Sequence, residues 1–438
     1  MSDTGMMIDE NRGTKGRGPL LGCIADDFTG ATDLANNLVR SGMRVVQTIG
    51  VPAGNDVIDA DAVVVALKTR TEPVERAIRQ SLEALEWLQE QGARQIYFKY
   101  CSTFDSTASG NIGPVTEALM KALDTDFTIA TPAFPENGRT VFKGHLFVGD
   151  VLLHESGMQN HPLTPMKDPN LVRVLQGQTR GRVGLVDYRA VAQGTGAIQE
   201  RIKALRAEGV SIAIVDAVSN EDLRRLGPAL ADLPLVTAGS GVAIGLPQNW
   251  GVADNRSADR LPAGRGGRAI VSGSCSLATN RQVIHFMRGG GQALAIDPLQ
   301  IATGENVVAN ALAWAEPRLE QGPVLFYSSA DATAVKDVQL QLGAGEAGAM
   351  VEQTIAAIAR GVVERGVGQL VVAGGETSGA CVQALQITQM QIGSQIDPGV
   401  PWCFAQSPCA RDGGLHLALK SGNFGTDDFF TKAFEVMA

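Results

Sequence analysis

The sequence predicts an α/β protein built from two α/β domains with largely parallel sheets and a cleft between them. Three observations lead to this fold class. The chain has 438 residues, more than one hydrophobic core usually serves. Strand-length apolar runs alternate with segments of helical periodicity. The alternation stops near residues 246–267 and then resumes, which is typical of a connection between domains.

The predicted strands are continuous apolar runs. Continuous hydrophobicity is expected where helices cover both faces of a sheet, so it favours parallel strands. After a first strand at about residues 21–25, the runs cover residues 62–68, 95–102, 127–134, 183–188, 211–217, 234–239, 269–276, 323–329 and 369–373. Helices are predicted between them, for example after Pro73 up to Gly92 and over residues 350–366.

These patterns divide the chain into four parts. Residues 1–18 are expected to be a disordered tail, residues 19–245 a first domain, residues 246–267 an exposed linker, and residues 268–438 a second domain. The linker is rich in Gly, Pro, Asn, Asp and Arg and has no periodicity.

Composition excludes several classes of protein. The net charge of −9 and the pI near 5.2 argue against nucleic-acid binding. The sequence has no signal-peptide pattern and no apolar stretch long enough to span a bilayer, so no membrane partner is expected. Six cysteines without a close CxxC pair favour a reduced, cytoplasmic protein.

Charged residues collect at the predicted strand ends of the first domain. Asp26 and Asp27 follow the first strand, where repelling carboxylates indicate a bound cation or a proton transfer, or else a helix cap and an exposed neighbour. Arg70, Lys99 and Arg139 lie at or near three further strand ends, as a small carboxylate substrate would need, although surface salt bridges would equally explain Arg70 and Arg139. Lys99 within an apolar strand requires a ligand or a buried acid such as Asp27 or Asp105.

Glycine-rich turns mark the second domain. The segment GGETSG puts Gly374, Gly375, Glu376 and Thr377 between a strand and a helix, where backbone N–H groups can approach a phosphate and a carboxylate can organise Mg²⁺. SGSCS and KSGNFG offer further serines and glycines. The Walker pattern and the protein-kinase loops are missing, which disfavours a P-loop enzyme and a protein kinase.

Longer motifs identify a family. The chain contains IADDFTGATD, LKTRTEP, YFKYCSTFDSTASGNIGPVTEAL, PENGRTVFKGHLFVGDVLLHESGM, VVAGGETSG, DPGVPW and LALKSGNFG, in this order. From about residue 20 to its end it resembles the four-carbon acid sugar kinase family, most closely the branch that acts on 3-oxo-tetronate. The resemblance implies an acid-sugar-binding first domain and a nucleotide-binding second domain. It also implies phosphorylation of the 4-hydroxyl of 3-oxo-tetronate by ATP, in four-carbon acid sugar catabolism.

The resemblance also implies site residues. Its ATP-contacting positions correspond to Ser274, the segment Gly374, Gly375, Glu376 and Thr377, and Gly422. The acid sugar would be bound by Asp26, Asp27, Arg70, Lys99 and the segment Asn137, Gly138 and Arg139.

The predicted mechanism is phosphoryl transfer in the cleft between the domains, with ATP and Mg²⁺ as cofactors. Asp27 is expected to be the base and Asp26 is the alternative, while the direct metal ligands stay open. A D-threonate or D-erythronate 4-kinase is the second hypothesis, and a non-catalytic protein that senses nucleotide or sugar acid is the third. Apolar helix faces would permit a homodimer.

Overall fold

The computed structural model describes residues 18–54, 57–105, 107–160, 164–252, 258–328 and 344–437. The predicted N-terminal tail therefore lies outside the described residues, apart from Gly18.

The strands are β1 Leu21–Ala25, β2 Val45–Ile49, β3 Ala62–Ala66, β4 Gln95–Lys99, β5 Thr128–Thr131, β6 Arg139–Phe142, β7 His145–Val148, β8 Val151–Leu152, β9 Arg182–Val186, β10 Val210–Val215, β11 Leu235–Ala238, β12 Gly267–Ser272, β13 Gln292–Ala295, β14 Val324–Tyr327, β15 Val367–Ala373, β16 Gln389–Asp397, β17 Val400–Gln406 and β18 Gly414–Lys420. The helices are α1 Phe28–Arg40, α2 Val74–Glu90, α3 Ile112–Ala122, α4 Leu171–Gln176, α5 Tyr188–Ala192, α6 Thr195–Ala207, α7 Asn220–Ala229, α8 Leu277–Arg288, α9 Pro298–Ala302, α10 Val307–Ala315, α11 Ala344–Glu364, α12 Gly375–Ala384 and α13 Phe429–Val436.

The first lobe, residues 18–252, contains a parallel sheet. Its strand order is β2-β3-β1-β4-β11-β5-β10-β9, and every neighbouring pair runs in the same direction. The side chains of β1 and β3 are buried along their whole length, because helices cover both faces of the sheet. The α/β class with largely parallel strands is thus confirmed for this lobe.

The second lobe, residues 258–437, has a mixed sheet. Strands β13-β14-β12-β15-β18 are parallel, and β17 and β16 extend this sheet in antiparallel pairing. The sequence predicted β12, β14 and β15, but not β13, β18 or the β16–β17 hairpin, whose turn contains the DPGVPW motif.

The two lobes share one continuous sheet. Strand β16 pairs with β2 in antiparallel register, with Met390 opposite Gln47, so that fifteen described strands form a single sheet. The backbone N–H of Ile49 adds a hydrogen bond to the Thr388 carbonyl at 2.8 Å. This pairing covers what would otherwise be two exposed sheet edges. Two α/β lobes are present as predicted, and their sheets are joined edge to edge.

A small antiparallel sheet, β6-β7-β8, lies outside the main one. We call residues 139–152 the flap. His145 begins β7, and His154 lies in the 3₁₀ turn Leu153–Glu155. The turns of the flap contain residues with positive φ, such as Lys143 and Gly144 between β6 and β7, because short connections between antiparallel strands need this conformation.

The connection between the lobes is partly packed rather than wholly exposed. Ala258 is buried, and Leu261 packs against the core of the second lobe. The carboxylate of Asp259 accepts a hydrogen bond from Ser394 Oγ at 2.9 Å, and the Pro262 carbonyl lies 2.8 Å from His416 Nε2. The segment therefore lies against β16 and β18, contacts that its polar composition did not indicate.

Candidate active site

The two adjacent aspartates lie where β1 ends and α1 begins. Asp27 is the N-cap of α1, and its Oδ1 accepts a hydrogen bond from the Gly30 backbone N–H at 3.2 Å. Thr29 Oγ1 donates to Asp27 Oδ2 at 2.8 Å. Such a cap satisfies N–H groups that have no partner within the helix. Asp27 therefore starts α1 in addition to the role predicted for it in the site.

Arg70 binds both aspartates. Its Nε and Nη2 donate to the two oxygens of Asp26 at 2.9 and 2.8 Å, and Nη2 also donates to Asp27 Oδ1 at 2.5 Å. Burial would raise the pKa of Asp27, but the charges of Arg70 and Lys99 outweigh it and hold that pKa well below its usual range. Burial raises the pKa of Asp26, although Arg70 opposes the shift. One guanidinium thus binds both carboxylates, and Lys99 adds a second positive charge beside Asp27.

Lys99 supplies a buried ammonium group to the same site. Its side chain ends β4, is 2% exposed, and places Nζ 3.5 Å from Asp27 Oδ1. Of the two acids considered as partners from the sequence, Asp27 is the one within ion-pair distance. The glycine in the first turn of α1 makes this approach feasible, because a Cβ on Gly30 would lie 1.8 Å from Lys99 Nζ.

Asp33, one turn further along the helix, was not singled out from the sequence. Its side chain is buried, and its Oδ2 accepts a hydrogen bond from Ser240 Oγ at 2.5 Å. Burial raises the pKa of Asp33 to about 6. A signal was present in the sequence, since Asp33, Asn36 and Asn37 are polar residues in a helix whose other positions are mostly apolar. Polar groups buried in this way are usually paired or functional.

These groups line a cavity of about 420 Å³ between the lobes. Most of the cavity wall comes from the first lobe, including its flap. The second lobe contributes the loop that follows β18. The lining residues are Asp27, Thr29, Gly30, Asp33, Arg70, Lys99, Cys101, Ser102, Thr103, Asp105, Arg139, Val148, Ser156, Met158, Ser421, Asn423 and Phe424. Asp26 is not among them, because it lies behind Arg70.

Arg139 is the cation that differs most from the others in the cavity. Among the described residues no carboxylate lies within ion-pair distance of it, and its buried Nε has no hydrogen-bond partner. It donates from Nη1 to the Asn137 carbonyl. Asn137 and Gly138 form the turn before β6 and are not among the lining residues, so the predicted NGR segment brings Arg139 alone to the cavity wall.

The predicted nucleotide-contacting residues also converge. Gly374 connects β15 to α12 with a φ of +125°, and a Cβ there would lie 2.7 Å from Thr377 Oγ1 and 3.3 Å from the Ser274 N atom. A Cβ on Gly422 would lie 2.6 Å from Ser274 Oγ. Three chain segments thus meet around backbone N–H groups at the start of a helix, an arrangement that suits phosphate binding. We call Ser274, Gly374–Thr377 and Gly422 the glycine cradle.

Lys420 holds one wall of the cradle in place. It is fully buried, and its Nζ donates to Thr279 Oγ1 at 3.0 Å and to the carbonyls of Ser421, Gly422 and Phe424 at 3.0, 3.0 and 3.1 Å. Burial lowers its pKa to about 7. The ammonium group of Lys420 thus points toward the loop that carries Gly422.

The cradle and the acidic pair face each other across the junction of the lobes. A Cβ on Gly375 would lie 3.9 Å from Thr29 Oγ1, next to Asp27. Lys68, after β3, forms an ion pair with Glu376 in the first turn of α12. The cleft between the two lobes is therefore formed as the sequence predicted. In the part of the chain that the structure describes, no cluster of three acidic, histidine or cysteine side chains is arranged to hold a metal ion.

Comparison with known proteins agrees with this division into lobes. A sugar-binding N-terminal domain matches residues 21–246, and a nucleotide-binding C-terminal domain matches residues 269–430. The fold and site define a two-lobed sugar kinase. The chain belongs to the four-carbon acid sugar kinase family.

Relatives resemble the chain over nearly its full length. A 3-oxo-tetronate kinase from Pseudomonas fluorescens is 58% identical, covering 96% of this chain and 97% of the relative. One from Burkholderia multivorans is 59% identical, with the same shares covered. A crystal structure of a Salmonella typhimurium protein superposes with a TM-score of 0.83 at 46% identity, covering 94% of this chain and 98% of that chain. None of the described helices has the length and hydropathy needed to cross a membrane.

Proposed function

We propose that this chain is an ATP-dependent kinase that phosphorylates the 4-hydroxyl of 3-oxo-tetronate. The observation that carries this proposal is the cavity in which a cationic, acid-lined wall meets the loop beside the glycine cradle. The names of relatives at 58% and 59% identity support the substrate. Such a cavity offers a place for a small anion next to a place for a triphosphate.

The two lobes divide the work. We propose residues 19–245 as the acid-sugar-binding domain, residues 246–267 as the linker and residues 268–438 as the nucleotide-binding domain. The location of the acidic and cationic residues in the first lobe, and of the cradle in the second, supports this assignment.

The substrate carboxylate is proposed to bind Arg139. The other two cations of the cavity, Arg70 and Lys99, already have carboxylate partners at 2.5 to 3.5 Å. A buried guanidinium without an ionic partner is costly unless a ligand anion completes it. A bidentate carboxylate would satisfy its unpaired Nε as well.

ATP is proposed to bind the glycine cradle, with Mg²⁺ on its phosphates. Mg²⁺ is usually held by one or two carboxylates together with phosphate oxygens and water. Glu376 is the carboxylate that we propose for it, because it lies in the first turn of α12 and its side chain is largely exposed. When bound, the ion would neutralise charge on the transferring phosphoryl group.

Asp27 and Asp26 are proposed to act at the reacting end of the substrate. Phosphoryl transfer mainly requires alignment and charge neutralisation, which a fixed ion-paired carboxylate can provide. The hydrogen bonds from Arg70, Thr29 and Gly30 fix Asp27 in one orientation on the cavity wall. Asp26 would then act through Arg70 rather than by direct contact.

The deciding experiment measures ADP release in a coupled assay with a panel of four-carbon acids. We expect turnover with 3-oxo-tetronate, and kcat/KM at least about tenfold lower for D-threonate and D-erythronate, because a carbonyl at C3 only accepts hydrogen bonds whereas a hydroxyl there also donates one. A preference for D-threonate or D-erythronate would transfer the assignment to the second hypothesis. Calorimetric ATP binding without ADP formation with any acid would favour a sensing protein.

A homodimer and a cytoplasmic location are also proposed. Ile284 and Met287 are exposed apolar residues on α8, which supports a contact between two copies. Sedimentation of the native protein beside the Ile284→Glu variant tests this contact between two copies, since a monomeric native protein would contradict it.

All six cysteines are free thiols, as a reducing compartment would require, which supports the cytoplasmic location.

A further inference from the structure

Lys68 is a cation of the first lobe whose ammonium group reaches the glycine cradle. It follows β3, and its Nζ forms an ion pair with Glu376 in the first turn of α12. Among the ion pairs between described residues, this is the one that involves a residue of the cradle. Partial burial lowers the pKa of this lysine, but the carboxylates of Glu376, Glu352 and Glu72 outweigh it and raise that pKa above its ordinary value. Lys68 therefore carries a positive charge at neutral pH.

The backbone on both sides of Lys68 is fixed beside the acidic pair. The Leu67 N–H donates to the Ala25 carbonyl at 2.8 Å, and the Thr69 N–H donates to the Asp26 carbonyl at 2.9 Å. The side chain of Lys68, in contrast, is 56% exposed. Its flexible four-carbon stem can therefore move the ammonium group about a fixed point of attachment.

The terminal phosphate of ATP would lie close to this ammonium group. The acid is proposed to bind the cavity of the first lobe and the nucleotide to bind the cradle, so the phosphoryl group that passes between them must lie where the two meet. Thr29 lines the cavity, and its Oγ1 would lie 3.9 Å from a Cβ on Gly375. Gly375 directly precedes Glu376, the partner of Lys68. The ion pair is thus at the junction where the transfer is proposed to occur.

The other cations near this junction already have partners. Arg70 donates to both aspartates, and Lys99 lies 3.5 Å from Asp27 Oδ1. Lys420 donates to one hydroxyl and three loop carbonyls. Phosphoryl transfer is favoured when a cation, in addition to Mg²⁺, neutralises charge on the transferring group. Lys68 is the exposed cation placed to supply that charge.

We propose that Lys68 exchanges its ion pair with Glu376 for a contact with the γ-phosphate when ATP and Mg²⁺ bind. The Glu376 carboxylate then binds Mg²⁺, as proposed above, and the ammonium group of Lys68 donates to a γ-phosphate oxygen. An ion pair between two largely exposed side chains is broken at small cost. Lys68 thus neutralises the transferring phosphoryl group from the side of the acid. This inference rests on the proposed function.

The first test measures the Kd values for ATP and ADP by calorimetry, with Mg²⁺ and without acid. In Lys68→Met we expect the Kd for ATP to rise about tenfold or more, because the γ-phosphate contact is lost, and the Kd for ADP to change by less than about twofold. Lys68→Arg keeps the positive charge and should retain most of the affinity for ATP. Lys203→Met, at an exposed position in α6, is the matched control and should bind both nucleotides as the native protein does.

A double-mutant cycle separates the phosphate contact from the ion pair. If Lys68 served only to hold Glu376, adding Lys68→Met to Glu376→Gln would cause no further loss of affinity for ATP. We expect a further loss of about tenfold, because the lysine binds the phosphate itself. At saturating ATP and acid, kcat of Lys68→Met should also fall at least about tenfold.

Three results would overturn the proposal. They are unchanged affinity for ATP in Lys68→Met, equal losses of affinity for ATP and ADP in that variant, and no further loss in the Glu376→Gln background. Failure of the native protein to bind ATP, or to release ADP with any acid, would instead overturn the proposed function.

Discussion

At the scale of single residues, the site depends on carboxylates that occupy different environments within the first two turns of α1. Asp27 is ion-paired and its pKa is lowered, whereas Asp33 is buried with one free oxygen and a raised pKa. Carboxylates whose environments separate their pKa values can take different roles in the same reaction. Asp27 therefore holds a fixed negative charge, whereas burial makes the charge of Asp33 costly.

This difference predicts an effect of Asp33 on stability. The folded-state pKa of about 6 lies above the ordinary value of 3.8, so the native state binds the proton more tightly and stability falls as pH rises between these values. Asp33→Asn removes that cost. We expect its free energy of unfolding to exceed that of the native protein by up to roughly 3 kcal/mol at about pH 8, and by less at about pH 5.

Urea unfolding at both pH values measures this gain, with Asp232→Asn as the exposed control. A gain that is the same at both pH values would show that Asp33 is not ionised at cost in the folded protein.

At the scale of elements, strand-to-helix turns carry most of the site. The sequence predicted them because each combines an apolar strand with a break of glycine or charge, as at Asp26–Asp27 and Gly374–Gly375. Ligand groups gather at the carboxyl ends of parallel strands for topological reasons, so the positions of these turns follow from fold class. Asp33 was missed because it lies inside a helix, where burial depends on tertiary packing.

The cradle provides a test at this scale. Gly374→Ala would force a Cβ to within 2.7 Å of Thr377 Oγ1 at a φ of +125°. Such strain costs about 1–3 kcal/mol, so we expect the Kd for ATP to rise by about tenfold or more. The KM for the acid sugar should change little, because the change lies in the second lobe.

Gly196→Ala is the matched control for that measurement. Gly196 lies in α6 at an exposed position, and a Cβ there would meet nothing within 4 Å. Titration calorimetry with ATP distinguishes the two variants. Unaltered ATP affinity in Gly374→Ala would remove the turn from the nucleotide site.

At the scale of the whole molecule, the edge-to-edge pairing of β2 with β16 was beyond sequence reasoning. Most parallel strands were predicted because they are continuously apolar, but β2 was missed, and β16 carries polar side chains at alternate positions, such as Gln389 and Gln391. Strand partners as far apart in the chain as Gln47 and Met390 cannot be inferred from local pattern, since register depends on both edges.

The shared sheet predicts cooperative unfolding. The two lobes are linked by the β2–β16 ladder and by the Asn36–Gln395 hydrogen bond of 2.6 Å, and α1 packs against β16 and β17. We therefore expect one calorimetric transition for the native protein rather than two. Saturating ATP should raise its Tm as a unit, because ligand binding stabilises whatever unfolds together. Two transitions, with ATP shifting one alone, would contradict this expectation.

The same ladder restricts how the acid sugar reaches its site. A wide separation of the lobes would break the β2–β16 hydrogen bonds at every turnover. The free energy of breaking them would then add to the barrier of each catalytic cycle. The flap lies outside the main sheet and supplies Arg139 and Val148 to the cavity wall. We therefore expect the acid to enter, and its phosphorylated product to leave, on the flap side of the cavity. The joined sheet would keep its shape during both steps.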